Sequence, residues 1–178
     1  MKWKVGPQRS LYVDDWLDIR IADVELPDGQ HREHRLLHTK PGAGAVAVNR
    51  DRQVLLLWRH RFITDTWGWE IPIGRIEDGE SPAVAAAREF EEETGWRPGP
   101  LRPLFEVRPT PGLSTSRHSI FLADGAVYIG EATDKSEADR VDWVPLADVR
   151  AHITKGEMTS GTTIAALLYI LSEPLSST

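Results

Sequence analysis

Residues 74–96 read GRIEDGESPAVAAAREFEEETGW. Gly74 and Gly79 suit backbone turns, so the first part is a loop. Ser81-Pro82 opens a helix, with Ser81 as N-cap and Pro82 at the first helical position. Ala83 to Thr94 carries the helix, and Gly95 is its C-cap. Glu89, Glu92 and Glu93 then stand at i, i+3 and i+4, which puts three carboxylates on one face with roughly 5–6 Å between neighbouring Cβ atoms. Like charges at this spacing weaken a helix, so the cluster wants a cation. Hard divalent ions take carboxylate oxygens, and Mg²⁺ is commonly held by a few carboxylates together with substrate phosphates. A bare run of glutamates is more often a solvated face than a site, so the decision rests on the longer pattern.

That pattern is Gly74, five residues, Glu80, seven residues, then Arg88-Glu89-Phe90-Glu91-Glu92-Glu93-Thr94-Gly95-Trp96. It resembles the Nudix box, whose fixed positions are matched by Gly74, Glu80, Arg88, Glu89, Glu92, Glu93 and Gly95. Phe90 and Trp96 fill the two apolar positions, where the family more often has aliphatics. The resemblance implies an α/β protein, the Nudix α/β/α sandwich with a central mixed β-sheet. It implies hydrolysis, with Mg²⁺ or Mn²⁺, of a nucleoside diphosphate linked to another group. It makes Glu89, Glu92 and Glu93 the metal ligands and Arg88 the catalytic-site arginine that orients them. Glu80 either touches a metal through water or is a first-turn glutamate favoured by the helix dipole.

Around this stretch the chain alternates strands and helices. Trp16 to Val24 has a rough period of two, Pro27-Asp28-Gly29 is a turn, and Gln30 to His38 is a second, polar strand. Such a hairpin has too little apolar surface to stand alone. Residues 1–42 are therefore read as an N-terminal antiparallel β-element, and residues 43–178 as the hydrolase domain. By resemblance to enzymes of ADP-ribose and related diphospho-sugars, the element belongs to a homodimer and walls the neighbour's site; the alternative is a hairpin packed on its own domain. Ala43 to Val48 and Val54 to Trp58 are apolar strands, the second running on to Phe62. Trp67 to Ile71, Leu101 to Val107, His118 to Ala123 and Arg140 to Val144 are further strands, and Pro145 to Ile153 and Thr162 to Leu171 are helical.

The remaining site residues come from the resemblance. The general base is Glu137, in the loop Glu131 to Asp139, which has no apolar anchor beyond alanines and is expected to close over substrate. Arg61 matches an arginine after the second core strand, for phosphate or base; Arg59 competes for that role. Glu70 matches a glutamate before the box, for sugar hydroxyls or for structural pairing. Pro111, sixteen residues after Gly95, marks the ADP-ribose subgroup. The usual acids after it are replaced by Gly112-Leu113-Ser114-Thr115-Ser116, which counts against ADP-ribose itself. Trp16 and Trp67 are candidates to stack on a base, although buried aromatics are more often core.

Composition narrows the rest. A net charge of −6 disfavours a nucleic acid polymer as partner. With no cysteine there is neither a disulfide framework nor a thiol nucleophile. The longest apolar run, Ile164 to Leu171, is too short to span a bilayer, so no membrane partner is expected, and the cytoplasm is the default. The expected substrate is a nucleotide sugar such as ADP-ribose, cleaved to a nucleoside monophosphate and a sugar phosphate. The rivals are a Nudix enzyme of nucleoside triphosphates or dinucleoside polyphosphates, and a non-catalytic module that senses a nucleotide sugar.

Overall fold

The structure, a computed structural model, describes residues 2–134 and 136–172. Contacts divide them into two units, one of residues up to Pro41 with Arg108–Arg117, the other of Gly42–Val107 with His118 onward. In the smaller unit β1 (Lys4–Val13), β2 (Asp18–Glu25) and β3 (His31–His38) form an antiparallel sheet in that order. Gly29, at φ 82°, makes the β2–β3 turn and donates its N–H to the Leu26 carbonyl at 2.9 Å. The sequence pattern suggested two strands here, and there are three. β1 escapes periodicity because all ten of its residues are exposed. Its register also skips Gly6 and Pro7, where proline has no N–H to give the ladder. β2 starts at Asp18 rather than Trp16 because the Asp14 carboxylate accepts the Trp16 and Leu17 N–H groups and holds them in a turn. The Arg108–Arg117 loop joins this unit through β3: Leu37 donates to the Leu113 carbonyl and accepts from Thr115, both at 2.9 Å.

The larger unit is a mixed sheet. Its strands are β4 (Gly42–Val48), β5 (Gln53–Arg61), β6 (Thr66–Glu70) and β7 (Ile73–Arg75), then β9 (Leu101–Val107), β10 (His118–Asp124) and β12 (Arg140–Pro145). The order is β12-β5-β4-β10-β9, with β4 and β10 parallel and the other pairs antiparallel. β4 and β5 pair only at Val48↔Val54, after which β6 takes up the edge of β5 and β7 that of β4. The short strands β8 (Trp96–Pro98) and β11 (Ala126–Tyr128) pair with each other. The helices are α1 (Pro82–Thr94), α2 (Val149–Thr154) and α3 (Gly161–Ser172). The helix expected from Pro145 begins later: Pro145 is still in register with Gln53, and a 3₁₀ turn, Leu146–Asp148, precedes α2.

Alternation along the strands builds two cores. Val46, Val54, Leu56, Ile120 and Leu122 pack with Val149 of α2 and with Ala166, Leu167 and Ile170 of α3. Ala43, Ala45, Ala47, Leu55, Phe121 and Ala123 pack with Ala85, Ala86 and Phe90 of α1. The three alanines of β4 leave little side-chain volume under α1, and Phe90 fills it. The helix ends are as the residues dictate. Ser81 Oγ accepts the Val84 N–H at 3.4 Å, and Gly95, at φ 73°, donates to the Glu91 carbonyl.

Phe90 is wholly buried and is the one large side chain that α1 puts into this core. Phe90→Ala should cost about 3–5 kcal/mol in urea unfolding through lost burial and a residual cavity. A cost below about 1 kcal/mol would mean that α1 is held by something other than this contact.

Candidate active site

Arg88 organises the carboxylates of α1. Its Nε and Nη2 donate to Glu80 at 3.0 and 3.1 Å, and Nη1 donates to Glu89 at 2.8 Å and to Glu92 at 2.9 Å. Nη2 also donates to the Arg75 carbonyl at 3.0 Å, which ties the helix to β7. Glu80 lies before the helix, so it is not a first-turn residue: it accepts from Arg88 and also accepts the Glu77 N–H at 3.1 Å. Hydrogen bonding to Arg88 lowers the Glu80 pKa. The Glu89 carboxyl lies against Gly74, where an added Cβ would stand 1.9 Å from its Cδ. A larger residue there would displace the Glu89 carboxyl, which gives the first position of the sequence pattern a steric cause. Glu91 points away from this group and pairs with Arg97 at 2.8 Å.

A second cluster surrounds Arg59, which is 3% exposed. Its Nη1 stands 3.6 Å from Glu93 Oε2, within ion-pair range but too far for a hydrogen bond. Its Nη2 is ion-paired with Glu137 and, among the described residues, makes no hydrogen bond. Glu93 is 5% exposed, and its Oε2 has no hydrogen-bond partner among the described residues. The loop bearing Glu137 is held at its flanks. Ile129 donates to the Gly95 carbonyl at 2.9 Å, Asp134 to that of Glu92 at 3.1 Å, and Asp139 to that of Trp58 at 2.9 Å. The loop, which has no apolar anchor beyond alanines, is thus attached to α1 and β5 through its backbone, a link that side-chain composition does not reveal. Gly95 permits the approach, since a Cβ there would meet the Gly130 carbonyl at 2.1 Å.

Arg61 donates from Nε and Nη2 to Glu70, at 3.1 and 2.5 Å, so of the two readings of Glu70 the structure displays the pairing. Arg59, read from sequence only as a rival to Arg61, is the arginine beside Glu93 and Glu137. Strand parity puts residues 59 and 61 on one face of β5, so the pattern does not separate them and their distant partners do. Trp58 shares the other face with His60, and Trp67 stacks on Trp58 at 6.3 Å, on the side of the α2–α3 core. Trp67 is therefore not beside the carboxylates. Trp16, 73% exposed, and Pro111 belong to the smaller unit.

Among the described residues no three carboxylate or imidazole groups converge on one point, because the guanidinium groups of Arg88 and Arg59 stand between them. The donor set nevertheless suits a hard divalent cation. It is all oxygen, and one buried carboxylate oxygen, Glu93 Oε2, has no hydrogen bond. Beside Arg88 and Glu92 an open cleft of about 600 Å³ is walled by Ala83, Val84, Ala87 and Leu101.

The chain is similar to known proteins over most of its length. The family model of the NUDIX domain matches residues 38–167. The chain is 43% identical to the CMP-5'-(N-acetyl-N-hydroxy-3-aminopropyl)phosphonate hydrolase of Streptomyces rubellomurinus, over 94% of this chain and 82% of that protein. It is 30% identical to the ADP-ribose pyrophosphatase of Bacillus subtilis, over 94% and 91%. A crystal structure of an ADP compounds hydrolase superposes with a TM-score of 0.81 at 20% identity, covering 96% of this chain and 93% of that one, which establishes likeness of fold.

Burial pushes the Glu93 carboxyl up to about 7, opposed by Arg59 and reinforced by Glu89. Burial raises Glu89 too, against the pull of Arg88. A carboxyl whose folded pKa exceeds its ordinary 4.5 holds its proton more tightly folded than unfolded. Its contribution to stability is therefore complete below about pH 4.5 and lost as the pH rises through about 7. In EDTA the melting temperature should fall across that window, and Glu93→Gln, which cannot ionise, should flatten the fall. An equal fall in the variant would contradict this account of Glu93.

Proposed function

This chain belongs to the Nudix family, and from that premise we propose that it hydrolyses the P–O–P bridge between a nucleoside 5′-monophosphate and a second phosphorus-bearing group. Water attacks one phosphorus, the bridging P–O bond breaks, and the products are a nucleoside monophosphate and the other acid. The observation that carries the reading is the carboxylate face of α1 fixed by Arg88. The second group is a sugar phosphate or a phosphonate. Similarity to an ADP-ribose pyrophosphatase supports the first, and the higher identity to a hydrolase of a CMP-linked phosphonate supports the second. The replacement of the acids after Pro111 by Gly112-Leu113-Ser114-Thr115-Ser116 favours a substrate other than ADP-ribose.

In this reading Glu89, Glu92 and Glu93 would hold Mg²⁺ or Mn²⁺, with Arg88 fixing their orientation. The ion, when bound, supplies charge neutralisation at the phosphate oxygens and a more acidic water. Glu137 takes the proton from the water that attacks phosphorus. Arg61, half exposed and steadied by Glu70, meets the anionic bridge. Trp16 serves to stack on the base, and Pro111, the marker of the subgroup, belongs to the substrate-binding set. A second copy of the chain is the expected partner, since β1 is an edge strand exposed along its whole length.

Full-length protein with Mg²⁺ or Mn²⁺ should convert members of a panel of nucleoside diphosphate sugars and nucleotide-linked phosphonates to a nucleoside monophosphate, identified by mass. Release of inorganic pyrophosphate from nucleoside triphosphates as the dominant reaction would refute the assignment. So would ligand binding without turnover of any substrate.

Glu92→Gln and Glu93→Gln should each lower kcat by orders of magnitude, with circular dichroism unchanged. Glu137→Gln should lose about 10²–10⁴-fold in kcat, the usual contribution of a general base, with KM moved far less. Near-normal turnover of Glu137→Gln would shift the base to the helix, with Glu89 the first candidate. Sedimentation should give a dimer at micromolar concentration, and a monomer would remove the second copy from the account.

A further inference from the structure

β5 directs two arginines to the α1 side of the sheet, and they are paired differently. Arg61 has its counter-ion, Glu70, on the neighbouring strand. Arg59 is more deeply buried, and its guanidinium meets carboxylates from two separate parts of the chain, Glu93 of α1 and Glu137 of the loop. A buried guanidinium left alone is strongly destabilising. Glu137, whose side chain is 40% exposed, has water as an alternative. The pair therefore constrains the loop more than it serves the glutamate. The backbone anchors of the loop lie at Ile129, Asp134 and Asp139, on either side of Glu137. The carboxylate itself is paired with Arg59.

We propose that Arg59 is a positioning residue with two effects of opposite sign: it seats Glu137 over the carboxylate helix, and it competes with the divalent cation for Glu93. The inference rests on reading Glu137 as the proton acceptor and Glu93 as a metal ligand. The first effect follows from the fork of the guanidinium, which reaches both carboxylates at once where a lysine would serve one. The second follows from charge. A cation approaching Glu93 meets a like charge 3.6 Å from the oxygen it would take. It also has to draw that oxygen away from its existing counter-ion. A residue that merely held the fold together would not separate these effects, because its loss would weaken metal binding and turnover alike.

Arg59→Gln and Arg59→Lys in the full chain test this. In Arg59→Gln, calorimetric titration should show Mn²⁺ binding up to about tenfold tighter, the scale of one charge-assisted contact. Hydrogen exchange without metal should be about tenfold faster at the described amides between Glu131 and Asp139, and little changed elsewhere. Turnover should nevertheless fall toward that of Glu137→Gln, with KM moved less. The double variant should be no slower than the slower single variant, since both substitutions remove one interaction. Arg59→Lys, which restores the charge without the fork, should return Mn²⁺ affinity to the wild-type value and recover only part of kcat.

Weaker Mn²⁺ binding in Arg59→Gln, unchanged loop exchange, or additive losses in the double variant would each overturn the proposal. If Arg59→Gln does not fold, Glu137→Gln breaks the same pair from its exposed side. Faster loop exchange in that variant supports the proposal, and unchanged exchange overturns it. If the wild type hydrolyses no nucleotide-linked substrate, the functional reading fails, while the Mn²⁺ and exchange measurements still decide the role of Arg59.

Discussion

Like-charge repulsion along one face of α1 is the constraint on which the surrounding structure depends. Glu89, Glu92 and Glu93 share that face, and Glu80 is brought beside it by the preceding turn. The protein answers with two guanidinium groups. Arg88, from the helix itself, collects Glu80, Glu89 and Glu92 in hydrogen bonds of 2.8–3.1 Å. Arg59, from the sheet below, faces Glu93. The two arrangements differ in kind. Arg88 is partly solvated and saturated with short bonds, so it fixes positions. Glu93 lies in a drier place with an oxygen that nothing hydrogen-bonds, so it is held less completely and is the carboxylate with most to gain from another cation.

Packing places this charge where it is useful. The small residues Ala43, Ala45 and Ala47 let α1 lie close to the sheet, and Phe90 sets its depth. Gly74 then brings β7 against the Glu89 carboxyl, and Gly95 brings the loop after β11 against the end of the helix. The divergence of β4 and β5 beyond Val48↔Val54 makes room for β6 and β7, and so determines where the chain enters the loop before α1. The charge cluster is thus built from α1, β5, the loop before α1 with Glu80 and the loop with Glu137, each carrying part of the charge balance.

Much of this was legible in the sequence, and the exceptions have physical reasons. Ser81, Pro82 and Gly95 marked both ends of α1 because capping is local chemistry, and the glutamate spacing gave the face because the helix period is fixed. The link of Arg88 to Glu92 was visible as an i,i+4 pair, while its bonds to Glu80 and Arg75 depend on how the preceding loop returns. Arg59 was underestimated because its importance comes from residues 34 and 78 positions further along the chain, Glu93 and Glu137. β1 was missed because an exposed edge strand needs no alternation. The attachment of the Glu137 loop rests on backbone N–H groups, which every residue but proline possesses and which no side-chain pattern announces.

The most direct test of the central claim, that this carboxylate face is a divalent-metal centre, is anomalous diffraction from crystals grown with Mn²⁺. The expected result is a peak within ligand distance of carboxylate oxygens of Glu89, Glu92 and Glu93, with Glu93 Oε2 among the ligands and Arg88 still bonded to Glu80. A map with no peak at this face, and with Arg88 and Arg59 still paired to the same glutamates at saturating Mn²⁺, would contradict it.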